Sequence, residues 1–264
     1  MMKPAPLLIL MGITVFVLTA STAAPADAPP TSDGTMRRIR LPILMYHYVE
    51  PLPPNADDIR RGLTVSPELF RDHLDYLQKQ GYQTVSFAQV YDALMTGSPL
   101  PPKPIILTFD DGYDNHYHIV FPLLQEFGMI GTFYLITSAL DEQRRGYITW
   151  EQAAQMAEAG MEIGAHTKNH VELRGRSYDV LVYEVVGSIE SVAAHIGRRP
   201  MTFSYPVGRY DRDTLTFMAS IQPIIAVTTR SGIWVSSDQL LEVPRIRINP
   251  NTSVFALSRL LDQQ

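Results

Sequence analysis

Two pairs of residues in this sequence carry side chains that bind divalent metals and transfer protons. Asp110 and Asp111 directly follow an apolar run, whereas His166 and His170 come further along the chain, four positions apart. One carboxylate and two imidazoles can hold a catalytic metal and leave positions open for water and substrate. The histidine spacing predicts that both imidazoles lie on one face of a helical turn. We therefore expect a metal-dependent hydrolytic site in which the other carboxylate is free to move a proton.

The apolar run before the aspartates is typical of a buried parallel strand. Residues 105–109 are mostly β-branched or aromatic, with Pro104 before them and Gly112 after. Successive side chains of a strand point to opposite sides, so the two adjacent carboxylates can take different roles. An Asp-Asp-Gly sequence alone is usually a turn, and two histidines at this spacing are often a solvated helix face. Their joint occurrence after strand-like segments favours a functional site.

Composition restricts the classes of protein that fit this chain. The 264 residues, 45% of them hydrophobic, are enough for one sizeable α/β domain. A net charge of −5 and the lack of a basic patch with interleaved aromatics oppose a nucleic-acid-binding function. Cysteine is absent, so any metal must be held by His, Asp, Glu or water.

The N-terminal sequence is typical of a secretory signal peptide. Lys3 supplies positive charge, residues 7–18 form an apolar core, and residues 20–24 are small. The core is shorter than the roughly 20 residues that span a bilayer, so cleavage is favoured over a membrane anchor. The predicted organisation is a signal peptide at 1–24, a flexible linker at 25–38 and one catalytic domain at 39–264. We therefore expect an exported protein, periplasmic or secreted, without a stable membrane span.

Short strand-like segments alternate with helical patterns over the rest of the chain. Strand-like segments lie at 43–46, 84–87, 105–109, 131–136, 161–165, 202–205 and 224–228. Helical patterns cover 66–81, 87–95, 117–127, 149–159 and 177–195. This alternation predicts parallel βα units that close into a barrel, with the functional side chains at the carboxyl ends of the strands.

These motifs resemble those of the polysaccharide deacetylases of carbohydrate esterase family 4, the NodB-homology group, over roughly residues 41–261. Residues 108–113 match the first motif of that family, and residues 166–170 match the second. The resemblance implies an α/β fold, a distorted (β/α) barrel of about seven parallel strands. It also implies the site residues: Asp110 as catalytic base, and Asp111, His166 and His170 as ligands of a divalent metal, with Zn²⁺ expected first and Co²⁺ or Ni²⁺ as alternatives.

Two features depart from the usual family pattern. Ser204 stands where the third motif often has an arginine that orients the catalytic aspartate, and Arg209 or Arg245 could take that place. No histidine follows His195, although the family usually supplies its general-acid histidine near the C-terminus. The segment around His47 resembles the N-terminal motif of members that act on poly-β-1,6-N-acetylglucosamine, in which the acid comes first. His47 is therefore the predicted general acid.

The resemblance also implies residues that contact the substrate. Tyr113 would supply a backbone N–H to the oxyanion, and Tyr205 and Pro206 of the third motif would bind substrate. Trp150 and Trp234 could stack on sugar rings, but large aromatics of such folds are more often in the core.

The function that follows is removal of the N-acetyl group from N-acetylhexosamine residues of a glycan. The expected substrate resembles poly-N-acetylglucosamine, with a peptidoglycan-like or chitin-like polymer as the alternative. An esterase that removes O-acetyl groups from xylan or another glycan would use the same site. A catalytically inactive carbohydrate-binding homologue is a third interpretation, which the missing third-motif arginine favours and the complete metal-ligand set opposes.

Overall fold

The computed structural model describes residues 1–2, 32–221 and 224–262. The strands are β1 (Arg38–Arg40), β2 (Ile43–Tyr46), β3 (Tyr48–Val49), β4 (Thr64–Val65), β5 (Gln83–Thr84), β6 (Pro104–Phe109), β7 (Thr132–Leu135), β8 (Glu162–Ala165), β9 (Thr202–Ser204), β10 (Ile225–Val227), β11 (Trp234–Ser236) and β12 (Ile246–Arg247). The α-helices are α1 (Asp58–Leu63), α2 (Pro67–Lys79), α3 (Phe87–Thr96), α4 (Phe121–Glu126), α5 (Thr137–Asp141), α6 (Trp150–Glu158), α7 (Tyr178–Leu181), α8 (Gly187–Ile196), α9 (Arg212–Ser220) and α10 (Val254–Leu261). Two π-helical turns, His116–Val120 and Val182–Val186, directly precede α4 and α8.

A curled parallel sheet forms a half-barrel with the helices around it. Seven strands lie in the order β10-β9-β8-β7-β6-β2-β12, and β5 pairs with β6 outside this path. All neighbouring pairs in this order are parallel. One isolated parallel bridge joins Val227 of β10 to Val243, which lies between β11 and β12. The predicted α/β fold with about seven parallel strands is confirmed, as a half-barrel rather than a continuously paired barrel.

Alternate side chains of the central strand enter two separate hydrophobic clusters. In β6, Ile105, Leu107 and Phe109 lie in the larger cluster, and Ile106 lies in the smaller one. Both faces of this strand are therefore buried, which explains its continuous apolar sequence. Charged side chains can be accommodated only where the strand ends, and Asp110 is the first residue after it.

Capping residues determine where several helices begin. Ser66 accepts a hydrogen bond from the Leu69 backbone N–H (3.2 Å) at the start of α2, as its sequence position predicts. Thr149 and Gln152 form the predicted capping box of α6.

The strand predicted over 84–87 is too long. Ser86 and Gln89 form a second capping box, in which the Ser86 N–H donates to the Gln89 side chain at 2.9 Å. The helix α3 therefore begins at Phe87, and β5 ends at Thr84. The β-branched and aromatic composition of this segment suggested a strand, but the capping interaction decides its end.

Residues 3–24 of the predicted signal peptide and 25–31 of the predicted linker lie outside the described residues, whereas the second half of the linker, 32–38, contacts the domain. Arg37 donates hydrogen bonds to the last carbonyls of α3, those of Leu94 (3.1 Å) and Met95 (3.2 Å). Its backbone N–H bonds to Ser237 (3.0 Å), and β1 then pairs with β11. Because an arginine can satisfy the free carbonyls of a helix end, this contact ties the residues just before Ile39 to α3. Within the described residues, no helix combines the length and apolar character needed to cross a membrane.

Candidate active site

A cleft of about 580 Å³ opens where the strands of the half-barrel end. The predicted residues that line it are His47, Asp110, Asp111, Tyr113, His166, His170 and Tyr205. They come from loops that follow four strands, β2, β6, β8 and β9. The parallel sheet thus brings together residues that are far apart in the sequence.

Asp111, His166 and His170 form a group that could hold a metal ion. The Asp111 Oδ1 atom lies 3.3 Å from His166 Nε2 and 3.4 Å from His170 Nε2. The three ligand atoms all lie within 4.8 Å of one another. Asp111 Oδ1 is buried and has no hydrogen-bond partner among the described residues. A buried carboxylate oxygen that faces two imidazole nitrogens fits a divalent cation.

The backbone at these ligands is unusual, and it corrects the predicted helical turn. Residues 167–169 form a turn after β8, and Thr167 has a φ of 61° and His170 a φ of 56°. Asp111 also has a left-handed φ, 80°, and Gly112 follows it with the same value. Such conformations are rare for residues other than glycine and often occur at functional sites. The two imidazoles therefore meet across a turn with left-handed residues, and not because they share a helix face.

A hydrogen bond determines which nitrogen of His166 faces Asp111. The Nδ1 atom lies 2.7 Å from the Ser204 carbonyl oxygen, so Nδ1–H donates to that oxygen. The Nε2 lone pair is then free to bind a metal. Ser204 is buried at the end of β9.

Asp110 is held by Arg245, which is one of the two candidates to replace the missing arginine. Each terminal nitrogen of the guanidinium donates to one carboxylate oxygen, and both distances are 2.7 Å. Arg245 is fully buried and also bonds to Thr108 Oγ1 (3.0 Å) and Ser204 Oγ (3.1 Å). Arg209, in contrast, is exposed. Burial alone would raise the pKa of Asp110, but Arg245 outweighs it and lowers the pKa to about 2.

His47 lies between β2 and β3 and is half-buried in the cleft. Its Nδ1 atom is buried and has no hydrogen-bond partner among the described residues. Burial lowers the pKa of His47, and the charges of Asp110 and Asp111 oppose that effect. The imidazole therefore lies in the same electrostatic environment as the aspartate pair, although His47 precedes Asp110 by 63 residues in the sequence.

The other predicted contact residues differ in how they meet the cleft. The Tyr113 N–H donates to no acceptor among the described residues, so it is available to a ligand. Tyr205 lines the cleft but is only 1% exposed, and its hydroxyl donates to the Leu241 carbonyl (3.0 Å). Pro206 is buried and does not line the cleft. Their roles in binding substrate stay predictions.

Neither tryptophan lines the cleft. Trp150 stacks on His195 with ring centroids 4.1 Å apart, and its indole nitrogen donates to Asp141 (2.9 Å). Trp234 lies in β11 with Arg38 over its ring.

Several residues that line the cleft were not predicted from the sequence. They are Asp58, Ile59, Gly62, Leu63, Val207, Thr229, Arg247 and Asn249. The basic and apolar residues alternate over positions 245–248, which indicates a strand with both arginines on one face. That pattern could have placed Arg247 beside Arg245. The α1 residues carry no comparable signal because none of them is buried.

Comparisons with known proteins agree with this geometry. The family profile described as polysaccharide deacetylase matches residues 97–222. YxkH of Bacillus subtilis, whose name assigns it to the same family, is 28% identical over 228 residues, which are 86% of this chain and 78% of YxkH. The poly-β-1,6-N-acetyl-D-glucosamine N-deacetylase of Escherichia coli K12 is 27% identical over 81% of this chain, but only 37% of the relative is covered.

A solved structure also matches along its whole length. The Streptococcus pyogenes deacetylase PplD, determined in complex with acetate, superposes with a TM-score of 0.79 and 31% identity. The match covers 86% of this chain and 100% of PplD. From the half-barrel, the motifs at its strand ends and these similarities, we conclude that the chain belongs to the polysaccharide deacetylase family of amide-bond hydrolases.

Proposed function

We propose that this protein is an exported, metal-dependent N-deacetylase that converts N-acetylhexosamine residues of a glycan into the free amine and acetate. The observation that carries the proposal is the division of labour between Asp110 and Asp111. Arg245 holds Asp110, whereas Asp111 faces the two histidines. One carboxylate can therefore take a proton while its neighbour binds a metal.

Asp111, His166 and His170 would hold the metal, which when bound polarises a carbonyl and lowers the pKa of a water from about 16 towards about 7. Two imidazoles and one carboxylate suit Zn²⁺, Co²⁺ and Ni²⁺ alike, and we expect Zn²⁺ first. The hydrogen bond from His166 to Ser204 keeps Nε2 directed towards this role.

Asp110 would accept the proton of the attacking water as general base. Its low pKa keeps it ionised at neutral pH, and the bidentate contact with Arg245 fixes both oxygens in position. A carboxylate that is ionised and immobile before substrate binds loses little entropy on reaching the transition state.

His47 would donate a proton to the departing amine, which is otherwise a poor leaving group. Imidazole suits this step because its ordinary pKa lies close to neutral pH. The Tyr113 N–H, which has no acceptor among the described residues, would stabilise the oxyanion formed when water attacks the acetyl carbon.

The similarity to the E. coli enzyme supports a glycan of the poly-β-1,6-N-acetylglucosamine type, and a peptidoglycan-like or chitin-like polymer would present the same acetamide group. An O-acetyl esterase would use the same residues and is the second candidate. The Asp110–Arg245 pair argues against an inactive homologue, because Arg245 takes the position of the arginine that is missing from the third motif. The apolar N-terminal segment supports export to the periplasm or the medium.

The test is acetate release by the metal-loaded protein from β-1,6- and β-1,4-linked N-acetylglucosamine oligomers and from acetylated xylan. Release from one glucosamine series that a chelator abolishes and added metal restores would support the proposal and assign the linkage. Release from xylan alone would make the protein an esterase. Bound metal without any release would favour the inactive homologue.

A further inference from the structure

The segment that follows the aspartate pair makes a continuous set of contacts with the segment that carries His47. His116 Nε2 lies 2.6 Å from the His47 carbonyl oxygen and donates a hydrogen bond to it. The Val49 N–H donates to Asn115 Oδ1 at 3.1 Å, and Asn115 Nδ2 donates to Glu50 Oε2 at 3.2 Å. We propose that Asn115 and His116 are positioning residues that set the location of His47 relative to Asp110. This inference rests on the proposed function, in which His47 is the acid.

Two aromatic contacts strengthen the connection between these segments. The rings of Tyr48 and Tyr113 are stacked with centroids 3.8 Å apart. On α1, Arg60 lies over the Tyr48 ring at 4.4 Å and donates from Nε to Glu50 at 3.1 Å. Each of the four residues from His47 to Glu50 therefore contacts Tyr113, Asn115 or His116.

The sheet itself does not fix His47. The parallel pairing of β2 with β6 ends at Tyr46 and Phe109, and the Asp110 N–H makes a last bond to the Tyr46 carbonyl (3.0 Å). Beyond that point the chain leaves the half-barrel, and β3 pairs only with the short β4. The contact with His116 is therefore the one that holds the His47 carbonyl among the described residues.

Both positioning residues are suited to a fixed structural contact. Asn115 is 4% exposed and His116 is fully buried, so both side chains are largely shielded from water. Burial lowers the pKa of His116 to about 4, so its ring stays neutral at physiological pH and donates from Nε2. The segment that follows β6 carries the predicted base and one metal ligand, Asp110 and Asp111, and also the two positioning residues, Asn115 and His116. This short segment would therefore set the distance between base, metal ligand and acid.

The experiment compares His116→Phe, which removes the donor, with His116→Gln, which restores an N–H of similar reach. His118→Phe is the matched control, because His118 lies two residues after His116 and is exposed. Each variant is assayed with an N-acetylglucosamine oligomer and with p-nitrophenyl acetate, whose leaving group departs without protonation. Metal content and thermal unfolding are measured in parallel, and Asn115→Leu provides a second route if His116→Phe is poorly folded.

We expect His116→Phe to lower kcat for the oligomer about tenfold to a hundredfold, with KM, bound metal and hydrolysis of the aryl ester close to those of the parent protein. His116→Gln should recover most of the loss, and His118→Phe should behave as the parent. An equal loss on both substrates, or loss of metal, would show a general structural role and overturn the inference.

His47→Ala separates this inference from the proposed function. If His47→Ala lowers oligomer turnover selectively but His116→Phe and Asn115→Leu do not, the positioning role is wrong and the proposed function stands. If His47→Ala affects both substrates equally, the acid assignment itself is wrong, and the positioning role fails with it.

Discussion

Arg245 binds Asp110 through two parallel hydrogen bonds, although 135 residues separate them in the sequence. The guanidinium also donates from Nε to the Thr228 carbonyl (3.0 Å). Ser204 contributes a smaller contact, with its hydroxyl 3.4 Å from Asp110 Oδ2 and 3.1 Å from an Arg245 nitrogen. A small residue at position 204 therefore leaves room for an arginine that arrives from the far end of the sheet.

Replacing Arg245 by Lys should lower kcat about tenfold to a hundredfold while bound metal is unchanged, because an ammonium cannot hold both carboxylate oxygens. Steady-state kinetics on an N-acetylglucosamine oligomer together with metal analysis would measure this. The matched control is Arg209→Lys, since Arg209 is the other candidate and is exposed. If Arg209→Lys is the more damaging change, the assignment of Arg245 is wrong.

The same pair should make stability depend on pH in acid. The pKa of Asp110 falls from 3.8 to about 2, so the folded protein favours the ionised form. This contribution, about 2 kcal/mol in the free energy of unfolding, is present above pH 4 and is lost as the pH falls towards 2. Denaturant unfolding of the parent and of Asp110→Asn between pH 2 and 5 should give curves that converge at low pH. Parallel curves would contradict the assigned pKa shift.

The sequence predicted the parts of the site that lie in local motifs, and left open or missed those that depend on distant contacts. The buried strand β6 and the aspartates after it share one short segment, so periodicity and turn residues were enough to locate them. The sequence offered both Arg209 and Arg245 as the partner of Asp110 and could not decide between them, because the contact exists only after the sheet has curled. The helix α1 was missed because it has no buried residue and therefore no amphipathic pattern.

The predicted helical turn at the histidines was wrong for a different reason. A four-residue spacing fits a helix, but the left-handed residues Thr167 and His170 give the chain another path between the same two ligands. The backbone N–H groups there bond outside the segment, with Lys168 donating to the Glu184 carbonyl (3.1 Å) and Asn169 to its carboxylate (2.9 Å). These tertiary contacts outweigh local helix propensity.

Asp110→Asn and His166→Ala should separate catalysis from metal binding. Asp110→Asn should abolish acetate release and keep the metal, because Asp110 lies outside the ligand group. His166→Ala should lose both, because it removes one of three ligands. Metal content by mass spectrometry distinguishes the two variants, and metal should raise the thermal unfolding temperature of Asp110→Asn but not of His166→Ala. Full metal content in His166→Ala would refute the ligand assignment.

Arg247 should make the cleft attract anions. It lies two residues after Arg245 along the strand direction, so both side chains share a face, and it lines the cleft. Among the described residues it has no hydrogen-bond or ion-pair partner, whereas Arg245 is paired with Asp110.

Arg247→Gln should therefore weaken inhibition by inorganic phosphate about threefold, which is the size expected for an exposed charge, with little change in KM for a neutral oligomer. Inhibition constants should be compared with those of Arg212→Gln, an exposed arginine outside the cleft. Equal inhibition of both variants would mean that phosphate binds without Arg247.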